Sequence, residues 1–195
     1  MPRGEFVRHP LRIRRTRSRA LRERAALPAP LAIRFGGATT LRLPHRSWLR
    51  RVLLLHAARL VVESQSRGDF ELTTRLYAPD SELRNIPAGG RAASIPGLDE
   101  VYRGPDGVRR FFEQWTEPWE RWYWAPEGEL VDVGDGRLLF LLTLVGQGRG
   151  SGIEIREEVG LMVEIEAGLA VRQRNWIGTG AWEEALEAAA AAGPS

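Results

Sequence analysis

Apolar positions along the chain change their period in an order that predicts helices first and strands afterwards. From about Trp48, the residues Leu53, Ala57, Leu60 and Val61 recur at i, i+4, i+7 and i+8, which predicts a helix with that stripe turned inward. Arg67-Gly68 ends it. Asp69 is placed to cap a short second helix whose Phe70, Thr73, Thr74 and Tyr77 share a face before Pro79. A short strand over about 81–86 follows, and then a Gly/Pro/Ala-rich loop to about Arg103, long enough to serve as a lid or rim. Pro105 stands at a first helical position and opens a third helix with Val108, Phe111, Phe112 and Trp115 inward, and Pro118 closes it. The rest alternates like strands, over about 121–133, 137–147, 153–165 and 169–177. Short glycine-bearing turns separate these four, so an antiparallel meander is expected. Residues 181–192 are Ala/Glu-rich, with high helix propensity and a weak packing face.

The first 47 residues lack this periodicity, and charge explains why they read as a separate segment. Residues 1–50 hold 13 arginines against Glu5 and Glu23, an excess of +11 that leaves −8 for the remainder of a chain whose net charge is +3. Residues 1–47 are therefore expected to be a largely disordered arginine-rich extension, and 48–195 a single folded domain. Clustered arginine neutralises phosphates, so nucleic acid is a partner only through this extension; a non-functional extension is the competing reading. Arg14-Arg15 is followed by no apolar export segment. Val52 to Leu55 is too short an apolar run to span a bilayer. A cytoplasmic protein with no membrane partner is expected. With no cysteine and three histidines, thiolate chemistry is excluded and neither a metal nor another cofactor is expected. The glycine run from Gly146 to Gly152 reads as a hairpin rather than a phosphate loop, because a strand and not a helix follows.

The motifs Arg67-Gly68-Asp69-Phe70, Tyr77-Ala78-Pro79-Asp80, Tyr102-Arg103-Gly104 and Glu183-Glu184-Ala185-Leu186-Glu187, in this order and spacing, resemble the SnoaL-like branch of the nuclear transport factor 2-like (NTF2-like) superfamily. The resemblance covers about residues 50–190. It implies an α+β fold in which a curved antiparallel sheet wraps around helices as a cone-shaped barrel enclosing a cavity, and commonly a homodimer through the sheet. It also implies small-molecule chemistry of polyketide cyclase, isomerase or hydrolase type, or non-catalytic binding. Residues matching the ketosteroid isomerase base, oxyanion-hole tyrosine and protonated aspartate fall at Asn85, Val61 and Gly160, so that isomerase mechanism is not supported.

If Gly160 faces the cavity, strand alternation brings Arg156, Glu158 and Met162 inward and turns Val159, Leu161 and Val163 away. Glu158 is then the expected acid or base, with Arg156 beside it; a structural ion pair or a solvated acidic face is the plainer alternative. Gln173 and Asn175 are expected inward as polar handles, Arg84 and Asn85 near the cavity mouth, and Tyr77, Trp115 and Trp119 as binding-site walls. Trp122 and Trp124 share a strand face with Tyr123 opposite, which suits either a ligand lining or a dimer contact on the convex face. The expected ligand is small, apolar and ring-bearing.

Overall fold

The computed structural model describes residues 6–14, 30–90, 95 and 97–192. The elements in chain order are β1 (Val7–Arg12), α1 (Pro30–Arg42), α2 (Trp48–Ser66), α3 (Glu71–Arg75), β2 (Tyr77–Pro87), a 3-10 turn (Ala88–Gly90) and β3 (Val101–Arg103). There follow α4 (Gly104–Thr116), β4 (Trp119–Trp124), β5 (Glu127–Gly134), β6 (Arg137–Gly148), β7 (Glu154–Glu166), β8 (Leu169–Ile177) and α5 (Ala181–Ala191).

One curved, unclosed sheet of eight strands runs β1-β5-β6-β7-β8-β2-β3, with β4 also on β6. The β5–β8 meander is antiparallel as expected, whereas β2 lies parallel to β8. The predicted strand over 121–133 is bent into β4 and β5 at Ala125-Pro126, both halves pairing with β6. Proline has no N–H for the ladder, and the chain turns there.

Helices α2 and α4 fill the concave face together with Leu83, Leu130, Leu142, Leu144, Val159 and Ile177, and α5 covers part of the convex face over Val131, Leu139, Leu141, Met162 and Trp176. β6 reads as a nearly unbroken apolar run because both of its faces are covered. In α4, Val108, Phe111, Phe112 and Trp115 are buried as predicted, with Pro105 in the first turn. The packing of α5 is tighter than its composition suggests. Ala181, Ala185 and Ala189 are fully buried, because a stripe of small side chains lets the helix backbone sit close on β7.

Two expectations are corrected. Disorder over residues 1–47 does not hold for 7–12 and 30–42: β1 pairs antiparallel with β5, and its Leu11, with Ile13 just beyond, joins the concave core. The expected inward stripe of α2 is rotated by one residue, to Leu54, Ala58 and Val62, and leaves Leu53 39% exposed. One residue is 100° of helix, and Arg50 sets the rotation. Arg50 is 4% exposed, and its guanidinium donates to both carboxylate oxygens of fully buried Asp132 at 2.7 and 2.9 Å. His45 Nε2 lies 3.2 Å from the same carboxylate. A lone aspartate inside the apolar run Leu130–Val133 was the available sign of a buried partner. Arg50 also donates to the Leu41 and Leu43 carbonyls, so this fork-shaped, charge-assisted pair ties α2 and the end of α1 to the sheet.

Candidate functional site

The two faces of β7 decide which carboxylate belongs to the interior. Gly160 faces α5, where an added Cβ would lie 2.6 Å from the Ala185 Cβ, so this position is glycine to admit the helix. Alternation then places Arg156, Glu158 and Met162 on the convex side, and Ile155, Glu157, Val159 and Leu161 on the concave side. The expected inward set was inverted by one residue. Glu158 Oε2 accepts the Gly180 backbone N–H at 3.1 Å, where Gly180 starts α5. Arg156 is exposed. The inward carboxylate is Glu157, half-buried beside fully buried Leu144. Burial, and then the charge of Glu158, push the Glu157 carboxyl above the usual range.

Further along the concave face, β8 and β2 align Gln173 with Leu83 and Asn175 with Asn85. Four of the expected binding residues meet here in one buried chain. The Tyr77 hydroxyl donates to Gln173 Oε1. Gln173 Nε2 donates to Asn175 Oδ1 at 2.6 Å, Asn175 Nδ2 to Asn85 Oδ1 at 2.9 Å, and Asn85 Nδ2 to the Asp99 carbonyl at 2.8 Å. Burial raises the Tyr77 pKa far above its ordinary value, so the phenol stays neutral and donates. The chain contains no charge and ends on the Asp99 backbone carbonyl. Arg84, expected near the mouth, lies on the outer face with Glu82 and Glu100 at 3.2 and 2.7 Å. There Glu82, Arg84, Glu164, Arg172, Gln173 and Arg174 line an open groove of about 310 Å³.

The other end of the concave face is aromatic. Phe70 stacks on Phe112 at 4.3 Å, and Trp115 contacts Trp122 and Trp124, each with ring centroids 5.8 Å away. Trp119 lies flat over Gly146, whose missing Cβ would meet its ring at 2.7 Å. Trp122 and Trp124 belong to this interior cluster, so neither is a convex dimer contact. Trp124 donates its indole N–H to Gln65 at 3.0 Å, and Gln65 in turn donates to Thr73. The indole N–H groups of Trp115 and Trp119, at 2% and 6% residue exposure, have no acceptor in the described protein. Buried donors are paired in the large majority of cases, so these two orphans are exceptions within the core. Cross-strand register runs Trp124, Leu144, Glu157, which sets the Glu157 backbone about 10 Å from that of Trp124 across two strand spacings. No group of three or more His, Asp or Glu able to hold a metal occurs among the described residues.

Glu157 and Gln65 were the residues that pattern reading missed. The signal for Glu157 was the alternation itself, had the strand been phased on Val159 and Leu161 rather than on Gly160. The rim expected over 87–103 contributes Ile95, 1% exposed in the core, while residues 91–94 and 96 of that stretch lie outside those described.

No protein-family model matches the sequence, and neither does any curated protein. Solved structures do match. An NTF2-like protein of unknown function from Burkholderia pseudomallei K96243 aligns at 20% identity and a TM-score of 0.54, covering 68% of this chain and 95% of that one. TerC, co-crystallised with polyporic acid, aligns at 19% identity and a TM-score of 0.52, covering 68% of this chain and 97% of that one. Helices packed inside a curved, open sheet, the β5–β8 meander and these likenesses together show that the chain has the NTF2-like cone fold.

Proposed function

We propose that the protein binds a small, ring-bearing molecule on the concave face of the cone, at its aromatic end. The observation that carries this reading is the pair of buried, acceptor-less indole N–H groups of Trp115 and Trp119. A guest carbonyl, ether or hydroxyl oxygen would take one or both, while the rings of Trp122, Trp124, Phe70 and Phe112 supply the apolar walls. Glu157 takes the role first expected of Glu158. It stands on the interior face, where burial shifts its carboxyl toward the protonated form, the direction that general-acid chemistry needs. The Tyr77-Gln173-Asn175-Asn85 chain forms the opposite, neutral wall. The crystallisation of TerC, a protein of the same fold, with polyporic acid supports a cone that takes a small organic molecule and names a first probe.

Turnover of cyclase or isomerase type would run through Glu157; a purely binding role would use the same walls and leave that carboxyl idle. The outer face of β2 and β8, with its alternating Arg and Glu side chains, is where a homodimer through the sheet would form. The test is a thermal-shift and tryptophan-fluorescence titration of the full chain with polyporic acid and other ring-bearing compounds. Saturable stabilisation that is weakened in Trp115→Phe or Trp119→Phe supports the reading, since ligand binding to the native state raises the melting temperature with concentration. Saturable binding indifferent to both substitutions contradicts it.

A further inference from the structure

The first turns of α2 present an apolar stripe to solvent. Trp48, Leu49, Val52 and Leu53 are 73%, 41%, 48% and 39% exposed, four of the five large hydrophobic residues exposed among those described. Their spacing of i, i+1, i+4 and i+5 makes them one contiguous surface. This surface lies opposite Leu54, Ala58 and Val62, which are buried against the sheet, so α2 is already docked on the domain by its other side. Exposed arginines frame the stripe. Arg42 ends α1, Arg51 flanks the first turn, and Arg59 stands on the same face two turns on. The sequence on the N-terminal side carries more of this charge, with 12 arginines and two glutamates over residues 1–47.

Three occupants can be weighed against that combination. A second copy of this face, related by two-fold symmetry, would bring arginines against arginines. Nucleic acid would satisfy the arginines and leave Trp48, Leu49, Val52 and Leu53 in water. An anionic lipid surface takes both: the indole settles at the headgroup level, the aliphatic side chains enter the acyl boundary and the arginines meet phosphate. We infer that the outward face of α2 docks the protein peripherally on an anionic phospholipid surface. None of the described helices is long and apolar enough to span a bilayer, so the contact lies on the surface, and it revises the expectation of no membrane partner. Neither the apolar stripe nor the charge suffices alone. Two weak signals acting together give binding that anionic lipid switches on.

The experiment is co-sedimentation of the full chain with phosphatidylcholine vesicles, with and without about 30% phosphatidylglycerol, at low and high salt. Binding is expected only to the anionic vesicles, with loss at high salt. The triple variant Trp48→Ser, Val52→Ser, Leu53→Ser, all at exposed positions, should partition at least about tenfold less while melting as the parent does. Absence of binding to anionic vesicles would overturn the proposal. So would anionic binding unchanged in the triple variant, which would assign the attraction to arginine alone. A concentration-dependent dimer abolished by the triple variant would overturn it as well and give the face to a second copy.

Discussion

The two ends of the concave face handle buried polar groups in opposite ways. Along β8 and β2, Tyr77, Gln173, Asn175 and Asn85 pass hydrogen bonds from one to the next and finish on the Asp99 carbonyl. At the α4–β4 end, Trp115 and Trp119 bury donors with nothing in the described protein to receive them. Both ends are built from residues that pattern reading nominates as ligand contacts. Satisfaction by neighbours separates them: the four side chains of the first end bond to one another, although Ser81 Oγ nearby on β2 has no partner, and the two indole donors of the second bond to nothing in the described protein. A buried donor without an acceptor costs about 1–3 kcal/mol, so two in one cluster represent stability held back.

The sharpest way to break this comparison is to cut the satisfied end. Asn175→Leu strands the Gln173 amide and the Asn85 carbonyl together and is expected to cost about 2–5 kcal/mol, read as a lower urea midpoint at unchanged slope. Tyr77→Phe removes one donor from the same chain and should cost about 1–3 kcal/mol. At the unsatisfied end the corresponding loss has the reverse logic. Trp119→Phe removes a donor that bonds to nothing, so what it sacrifices is packing over Gly146 alone, and its effect on the free protein should stay within about 1–2 kcal/mol. A cost at Trp119 as large as that at Asn175 would erase the distinction.

Smaller effects separate the two faces of β7. Glu158→Gln should destabilise slightly, by weakening the acceptor for the Gly180 N–H at the start of α5. Glu157→Gln should stabilise slightly near neutral pH. The sign follows from its raised pKa, because folding favours the protonated carboxyl. That contribution is full below the unfolded-state value and is lost as pH rises through the folded-state value. Stability curves against pH for the parent and Glu157→Gln should therefore converge in acid and separate above about pH 4–5, with the variant on top. Separation in the opposite direction would put a stabilising partner on Glu157.

Much of the architecture was legible because its signals are local. Proline at the start of α4, its aromatic stripe and the glycine turns of the meander each act within a few residues. The fold resemblance rested on such punctuation and is matched by the structure. What was misread depended on contacts far apart in sequence. The rotation of α2 is set by Arg50 reaching Asp132, 82 residues away, and the phase of β7 by Ala185 of α5 pressing on Gly160. β1 alternates, with Val7, His9 and Leu11 inward and Arg8, Pro10 and Arg12 outward, but the run is too short and too polar to stand out among the arginines, and its place is fixed by pairing with β5. For the site, Gln173 and Asn175 could be placed because strand alternation in β8 was phased correctly. Glu157 was missed because a single slip in a strand exchanges its faces.

The central claim, that the aromatic end is the receiving end, is tested most directly by the indole N–H resonances of 15N-labelled protein during titration with polyporic acid. The account predicts that the Trp115 and Trp119 signals move together and saturate, while that of Trp124, already bonded to Gln65, holds its position. Saturable shifts at the backbone amides of β8 and β2, with the Trp115 and Trp119 indoles unmoved, would contradict it and place the guest against the polar chain instead.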